Sequence, residues 1–526
     1  MSADSENPEL LFRNGADSPP LPVPFLPGES LASALRRAGI GIALHCGGRG
    51  RCGSCRVRLL EGKWRLPEGE RTLSAPGIIA PACRSVPLAG AVPPEAETLS
   101  GVPGEAIFAE TRFAPPWLKE DCPPGVSAAI DLGTTTLAGV MIADGETVAS
   151  AGCANAQARF GDNVIDRIAA AATGAGKELR RALLAESLAP LVAELAAAAG
   201  RSPERIVLAG NTAMSCFAAG IPTEPLGRAP FAAPATVFPT FRAAELGLGG
   251  CAPGATVELV PGLESFLGGD TTAGLYAAGL AGEEPPEAPV LFIDLGTNCE
   301  TVLMTPAGSL AAGAAAGPAF ERRGCVAGPG AVLHLDLAPN GNFLPETAAG
   351  APPRGLCGAA WLDLLVLLRR LGVIGPDGLF VPGERERRRC AAERGGSAGC
   401  RIAPGIVVTE ADLAELLAAK AAVAAGAETL LAEGETAPES LARVVLAGGF
   451  AAGSRPESLR GAGMLPLPPS VPVTTIGNAS LAGCAKLAAA GIPASSLSTL
   501  RRRIRVRNLA EIPGFIRRYV DALSLP

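Results

Sequence analysis

Apolar and polar positions fall into two regimes along this chain. Near the start, "ELLFRNG" reads as a short strand, and "GESLASALRRAGI" as a helix with apolar positions at Leu31, Leu35 and Ile40. "CRVRLLEG" then reads as a second strand. From Ala91 to about Val126 prolines accumulate ("VPPEAE", "APPW", "CPPG"), which reads as a semi-rigid linker. Beyond it, "GVSAAIDLGTTTLAGVMIADGETVAS" gives a strand, an Asp-Gly-Thr turn, a strand, a "DGE" turn and a third strand. Residues 290–312, "VLFIDLGTNCETVLMTPAGSLAA", repeat that pattern. A second pair matches as well: "RIVLAGNTAM" (205–214) and "RVVLAGGFAAG" (443–453) are buried strands running into glycine or asparagine turns. The order DLGT, VLAG, DLGT, VLAG is an internal duplication of a β-rich unit. Two such lobes face each other across a cleft at their strand ends, where open α/β folds bind ligands.

Length and composition narrow this picture. A chain of 526 residues exceeds what one core usually supports, so two to four domains are expected. Apolar residues make up 48% and aromatics only 4%, so the interior is built from small aliphatic side chains. A net charge of -6, from 51 acidic and 45 basic residues, gives no footprint for nucleic acid or a membrane surface. No uninterrupted apolar run approaches about 20 residues, so no membrane span is expected. The acidic, polar opening is unlike a signal peptide, and a cytoplasmic location is expected.

Fourteen cysteines divide into ten scattered ones, read as small buried hydrophobes, and a cluster. Cys46, Cys52 and Cys55 follow C-x5-C-x2-C, with Cys83 standing further on. Gly47, Gly48, Gly50, Gly53 and Ser54 leave room for backbone N–H groups to approach sulfides. Zinc is one alternative, though structural zinc usually takes paired C-x-x-C knuckles; a disulfide is another, disfavoured by the expected compartment. The spacing favours a 2Fe–2S cluster and resembles the vertebrate-type and bacterial 2Fe–2S ferredoxins of β-grasp fold. Arg49, Arg51, Arg56 and Arg58 surround the loop, as a solvated face or as a docking rim for an acidic electron-transfer partner.

The duplicated turns carry nucleotide chemistry. Gly133 permits a tight turn, and Thr134, Thr135 and Thr136 add hydroxyl donors for phosphate. Asp131 and Asp294, at the tips of equivalent strands, are placed to hold hydrated Mg²⁺ or orient the attacking water. Gly448 and Gly449 leave room for a base or ribose, and Lys420, on the helix before that strand, is a candidate for reaching the adenosine.

This arrangement resembles the actin, sugar-kinase and heat-shock-chaperone (ASKHA) ATPase superfamily. "DLGTTT" looks like its first phosphate loop, "DLGTNCE" its second and "LAGGF" its adenosine loop. "FLGGDTTAGLYAAGL" and "TIGNASLAGCAKLA" look like its two connecting helices. With "NAQARFGDNVIDRI", "GNTAM", "SFLGGD", "GPAFE" and "GNASLAG" behind a ferredoxin domain, the chain is more narrowly similar to the reductive activators of corrinoid proteins. The resemblance implies a 2Fe–2S ferredoxin domain over 1–92, a linker over 93–126, ASKHA lobes over 127–288 and 289–500, and a C-terminal tail over 501–526. It implies ATP, Mg²⁺ and one electron passed through a cluster on Cys46, Cys52, Cys55 and Cys83. It assigns phosphate to Gly133–Thr136, Gly296, Thr297 and Asn298, with Asn211 also at the nucleotide. The implied partners are a corrinoid protein or corrinoid-dependent methyltransferase and an upstream low-potential electron donor, with homodimerisation. Cys299 stands where a glycine is expected in the second phosphate loop, so the backbone there is expected to sit farther from phosphate. Two alternatives stay open: an ATP-dependent electron injector for another low-potential enzyme, and a redox-sensing ATPase switch.

Overall fold

The computed structural model describes residues 8–13, 19–38, 40, 55–74, 77–98, 122–161, 163–296, 298–317, 319, 330–339, 341–383 and 399–526. Its first unit is a mixed sheet in the order β2 (Leu21–Pro24), β1 (Glu9–Arg13), β7 (Glu95–Thr98), β3 (Arg56–Leu66), β4 (Gly69–Leu73). Both β5 (Ile78–Pro81) and β6 (Val86–Leu88) pair with β3. Alternation along β1 sends Leu10 and Phe12 inward and leaves Glu9 exposed. Helix Leu31–Arg37 closes over them, with Leu31 and Leu35 one turn apart and Trp64 buried beside them. Strand β7 corrects the expected linker boundary: it pairs in parallel with β1 and antiparallel with β3, so the ferredoxin unit runs to Thr98. Residues 99–121 of the expected linker lie outside the described residues.

The two lobes are copies of one topology. In lobe I, β8 (Val126–Leu132), β9 (Thr136–Ala143) and β10 (Glu146–Ala154) form an antiparallel meander. On the other side of β8 lie β11 (Arg205–Gly210) and β13 (Thr256–Leu259) in parallel, then β12 (Phe241–Arg242) at the edge. Lobe II repeats this with β14 (Val290–Leu295), β15 (Cys299–Thr305) and β16 (Gly308–Ala314) as the meander. Three strands, β17 (Ala331–Leu337), β18 (Phe343–Thr347) and β19 (Gly355–Leu356), and a hairpin, β20 (Gly399–Ala403) with β21 (Ile406–Thr409), are inserted next. Parallel to β14 run β22 (Arg443–Ala447) and β23 (Val473–Thr475). The duplication is exact in register: Asp131 lies opposite Ala209 of β11, and Asp294 opposite Ala447 of β22.

Residues 501–526 are no tail. They supply β24 (Ile504–Val506), which pairs with β16 as the edge strand of lobe II, and they bury Leu509, Ile512 and Leu525. Three residues set among five arginines carry too little alternation to read as a strand.

Three cores hold the ATPase region: one on the outer side of each sheet, and one shared between the sheets. Two helices cross within the shared core. The first, Gly269–Ala277, follows lobe I; the second, Ala479–Ala489, follows β23 of lobe II but packs on β8, β9 and β11 of lobe I. A Cβ at Gly483 would fall inside contact distance of the Ala273 carbonyl, so only glycine permits this crossing. The far end of the second helix is pinned to lobe I: Arg205 donates to the Leu487 carbonyl (3.0 Å) and is held by Glu258 (2.7 Å).

The helical run Val164–Ala199 is long and apolar enough, by length and composition, to cross a membrane. It bends at Gly174 (φ 108°) and lays Leu179, Leu183, Leu188, Leu191 and Leu195 into the lobe I core.

Candidate functional site

The cleft is assembled from the C-terminal tips of β8, β14 and β22 and the N-termini of the two crossing helices. In the first phosphate loop, a Cβ at Gly133 would collide with the Thr136 carbonyl, so the turn closes only with glycine. Two asparagines brace it from outside: Asn155 donates to the Gly133 carbonyl (3.0 Å), and Asn211 to the Thr134 hydroxyl (3.0 Å). Asn211 also caps the helix Thr212–Ala219 and touches the Gly268 turn, where any Cβ would strike its backbone.

Asp131 is held from the other half of the molecule. Asn478 Nδ2 (2.9 Å) and Ser480 Oγ (2.8 Å), at the start of the second crossing helix, both donate to its carboxylate. Burial raises its pKa, and those two hydrogen bonds oppose the rise. Asp270, in the first turn of the first crossing helix, is pushed up to about 6, chiefly by burial, with the Asp131 charge adding to it. Two carboxylates that disfavour one another's ionisation make a pocket of charge suited to a divalent cation.

The second loop joins the same cleft. Gly296 N–H closes a turn on the Asn298 carbonyl (3.0 Å), and Asn298 is exposed; Thr297 lies outside the described residues. Asp294, next to last in β14, lies directly opposite Glu300, so the two carboxylates share one face of the sheet. Gly448 has φ 99° and donates its N–H to Gly477 (2.8 Å), next to Asn478. A Cβ there would collide with the Leu295 carbonyl and stand 3.3 Å from Asp294 Oδ1. Glycine at 448 therefore lets this turn pack closely onto the end of β14. Gly449 opens the short helix Gly449–Ala452 beside it.

One expectation is corrected. Lys420 is buried and donates to the Ser524 carbonyl (2.6 Å), close to Gly463; the C-terminal segment takes it away from the cleft. Burial lowers its pKa to about 8. Cys299 points into the lobe II core, where burial pushes its thiol pKa far up.

Sequence reasoning passed over Asp270, Asn478, Ser480, Asn155 and Glu300. An asparagine three residues before Leu481 in "GNASLAG" is an N-cap signal, and Asn478 does accept from Leu481 N–H (2.9 Å). Nothing local marks its second bond, to Asp131.

In the ferredoxin unit, Cys55 is buried at the entry to β3, and its carbonyl accepts from Ala82 N–H (2.8 Å), the residue before Cys83. Two of the four proposed ligands, both free thiols, are thus side by side on one sheet junction, which suits a shared cluster. Cys46, Cys52, Arg49 and Arg51 lie outside the described residues. Arg58 pairs with Glu97 (3.5 Å) of its own sheet.

Comparison with known proteins agrees with this architecture. The family described as the C-terminal domain of RACo, the ASKHA domain, matches residues 288–526. The RACo middle region matches 126–283, and the 2Fe-2S iron-sulfur cluster binding domain matches 18–88. The corrinoid activation enzyme RamQ of Eubacterium limosum is 27% identical over 421 residues, which cover 76% of this chain and 70% of RamQ. A solved structure, a reductive activator for corrinoid, iron-sulfur protein, superposes with a TM-score of 0.67 at 25% identity, over 99% of this chain and 98% of its own. The chain belongs to the reductive activators of corrinoid proteins, ASKHA-type ATPases with an N-terminal 2Fe–2S ferredoxin domain.

Proposed function

We propose that the chain is an ATP-dependent one-electron reductive activator that restores Co(I) in a corrinoid protein or corrinoid-dependent methyltransferase. One observation carries the coupling: Asp131 of lobe I is held by Asn478 and Ser480 on a helix delivered from lobe II, so the site is complete only when the lobes are in register. ATP would lie across the two DLGT loops. Gly133 to Thr136 and Gly296, Thr297 and Asn298 supply N–H and hydroxyl donors to its phosphates. Asp131 and Asp294 would hold Mg²⁺ and orient water, with Asp270 close enough to Asp131 to share in proton or cation balance. Gly448 and Gly449 bring the nucleoside loop against Asp294.

Cys46, Cys52, Cys55 and Cys83 would hold the 2Fe–2S cluster, which supplies a one-electron carrier at about −400 mV if it is of plant type. A Co(I) corrinoid is harder to form than such a cluster is to reduce, so nucleotide state is needed to remodel the partner's environment. The electron comes from an upstream low-potential donor. The free thiols among the described cysteines suit a reducing cytoplasm, and the resemblance extends to a homodimer.

The test is an anaerobic mixture of photoreduced protein, Mg-ATP and a Co(II) corrinoid protein. An ATP-stimulated Co(I) absorbance band is expected; its absence with every corrinoid partner tried would reject the reading.

A further inference from the structure

A second concavity lies where the chain crosses back from lobe I to the edge of lobe II. It encloses about 480 Å³, within the range of binding pockets, and is open to solvent. Lobe I contributes Val237, Leu263 and Glu264; the closing segment of the chain contributes Ser498, Arg501, Arg502, Ile504 and Val506. Beside it, in the same two lobe I segments, Phe231 and Phe266 meet in a tilted pair with centroids 6.1 Å apart. These rings are 44% and 53% exposed, and Val237 is 46% exposed. So much apolar surface gathered at one rim marks an interaction site.

Its charge specifies the partner. The stretch Leu500–Asn508 holds five arginines and no acid, on a chain of net charge -6. Arg503 and Arg507 are engaged, by the Gly282 carbonyl and by Glu433. Arg501 spends only its Nε, on the Leu263 carbonyl (3.2 Å). Arg502 and Arg505 are exposed and have no ion-pair partner among the described residues. Against these guanidiniums stands a single carboxylate, Glu264. The chain's own ferredoxin unit, 1–98, has no acidic excess to offer it, with eleven Lys or Arg against ten Asp or Glu.

We infer that this pocket docks an acidic segment of the corrinoid protein, one that also offers an apolar side chain to the Phe231–Phe266 rim. The inference rests on the corrinoid-activation reading above. Docking here reports directly to the nucleotide. The backbone carbonyl of Glu264 in the pocket wall accepts from Thr212 Oγ1 (2.9 Å), whose neighbour Asn211 holds Thr134 of the first DLGT loop. The same turn leads into Asp270. Because both lobes build the walls, a change in inter-lobe angle alters the mouth. By linkage, partner and nucleotide then change one another's affinity by the same factor.

The experiment measures binding of a Co(II) corrinoid iron–sulfur protein to the full cluster-loaded chain by biolayer interferometry. It is run at 50 and 200 mM salt, with and without a non-hydrolysable ATP analogue, for wild type, Arg502→Glu and Phe266→Ala. Both altered residues are exposed and lie outside the ATP site, so basal ATP turnover should be unchanged. Arg502→Glu should weaken binding roughly tenfold at low salt and flatten the salt dependence. Phe266→Ala should weaken it roughly three- to tenfold at both salts. Hydrogen exchange of 263–267 and 498–506 should slow in the complex. Wild-type binding that neither variant disturbs would overturn the docking site while leaving the activator reading intact. No binding by wild type to any corrinoid protein or corrinoid-dependent methyltransferase tried would overturn both readings.

Discussion

Asn478 donates its side-chain amide to Asp131 at 2.9 Å although 347 residues separate them in the chain. The bond joins the N-cap of a lobe II helix to the tip of a lobe I strand, and Ser480 adds a second donor two residues along. Asn478→Ala should leave a partly buried carboxylate short of a partner, lowering stability by about 1–3 kcal/mol. ATP turnover should fall roughly ten- to a hundredfold, because Asp131 loses its position. Thermal melts and steady-state ATPase rates on the same preparation check both effects.

Asp294 tests chemistry against positioning. Asp294→Ala should reduce kcat for ATP by roughly 10²- to 10³-fold while ATP Kd changes by less than about threefold. Single-turnover hydrolysis with fluorescence titration of the nucleotide separates the two; equal losses would make Asp294 a binding group.

Asp270 makes the pH dependence directional. Its folded pKa of about 6 lies above the ordinary value of 3.8, so between these limits the native state keeps a proton that the unfolded chain has released. This contribution to stability is full below about 4 and is lost as pH rises through 6. Asp270→Asn in Mg²⁺-free buffer should therefore melt above wild type at pH 8, with the gap closing as pH falls below 4.

Gly448→Ala would place a side chain at φ 99° and against the Leu295 carbonyl. A loss of more than about 2 kcal/mol is expected, with weakened ATP binding. Gly247, also at positive φ (70°) and with no atom within 4 Å of its Cβ position among the described residues, provides the control: Gly247→Ala carries the backbone strain alone. Calorimetry of both variants measures the difference.

Lys420→Met should leave ATP Kd within about twofold of wild type, since the ammonium serves the Ser524 carbonyl. Its pKa is lowered to about 8 from 10.5, so the native state gives up its proton first and wild-type stability rises with pH across that window. The melting temperature of wild type should therefore gain on the variant between pH 8 and 10.5. For the cluster, Cys83→Ser should abolish or shift the 2Fe–2S visible and EPR spectra; an unchanged spectrum would place the fourth ligand elsewhere.

The duplicated DLGT and VLAG turns were legible because each is a local pattern. Strand, glycine turn and acid at the tip all lie within ten residues, and Asp131, Asp294, Gly133 and Gly448 do converge on one cleft. Chemistry confined to a turn can be read from residue types alone. The role of Gly448 was only half legible, since its conformational need is local but the Leu295 carbonyl it must clear is not. Lys420 misled for the same reason: a lysine on a helix shows its reach but not what covers it, and Ser524 arrives from 104 residues away.

The sequence by itself therefore determined the ferredoxin unit, the duplicated lobes and their glycine turns. Tertiary structure alone decided which helix completes which lobe, that the last residues close a sheet through β24, and that Asn478 and Ser480 hold Asp131. Turns depend on backbone sterics within a few residues. The crossing of the two helices depends instead on how two sheets share one core, and no run of neighbouring residues encodes that.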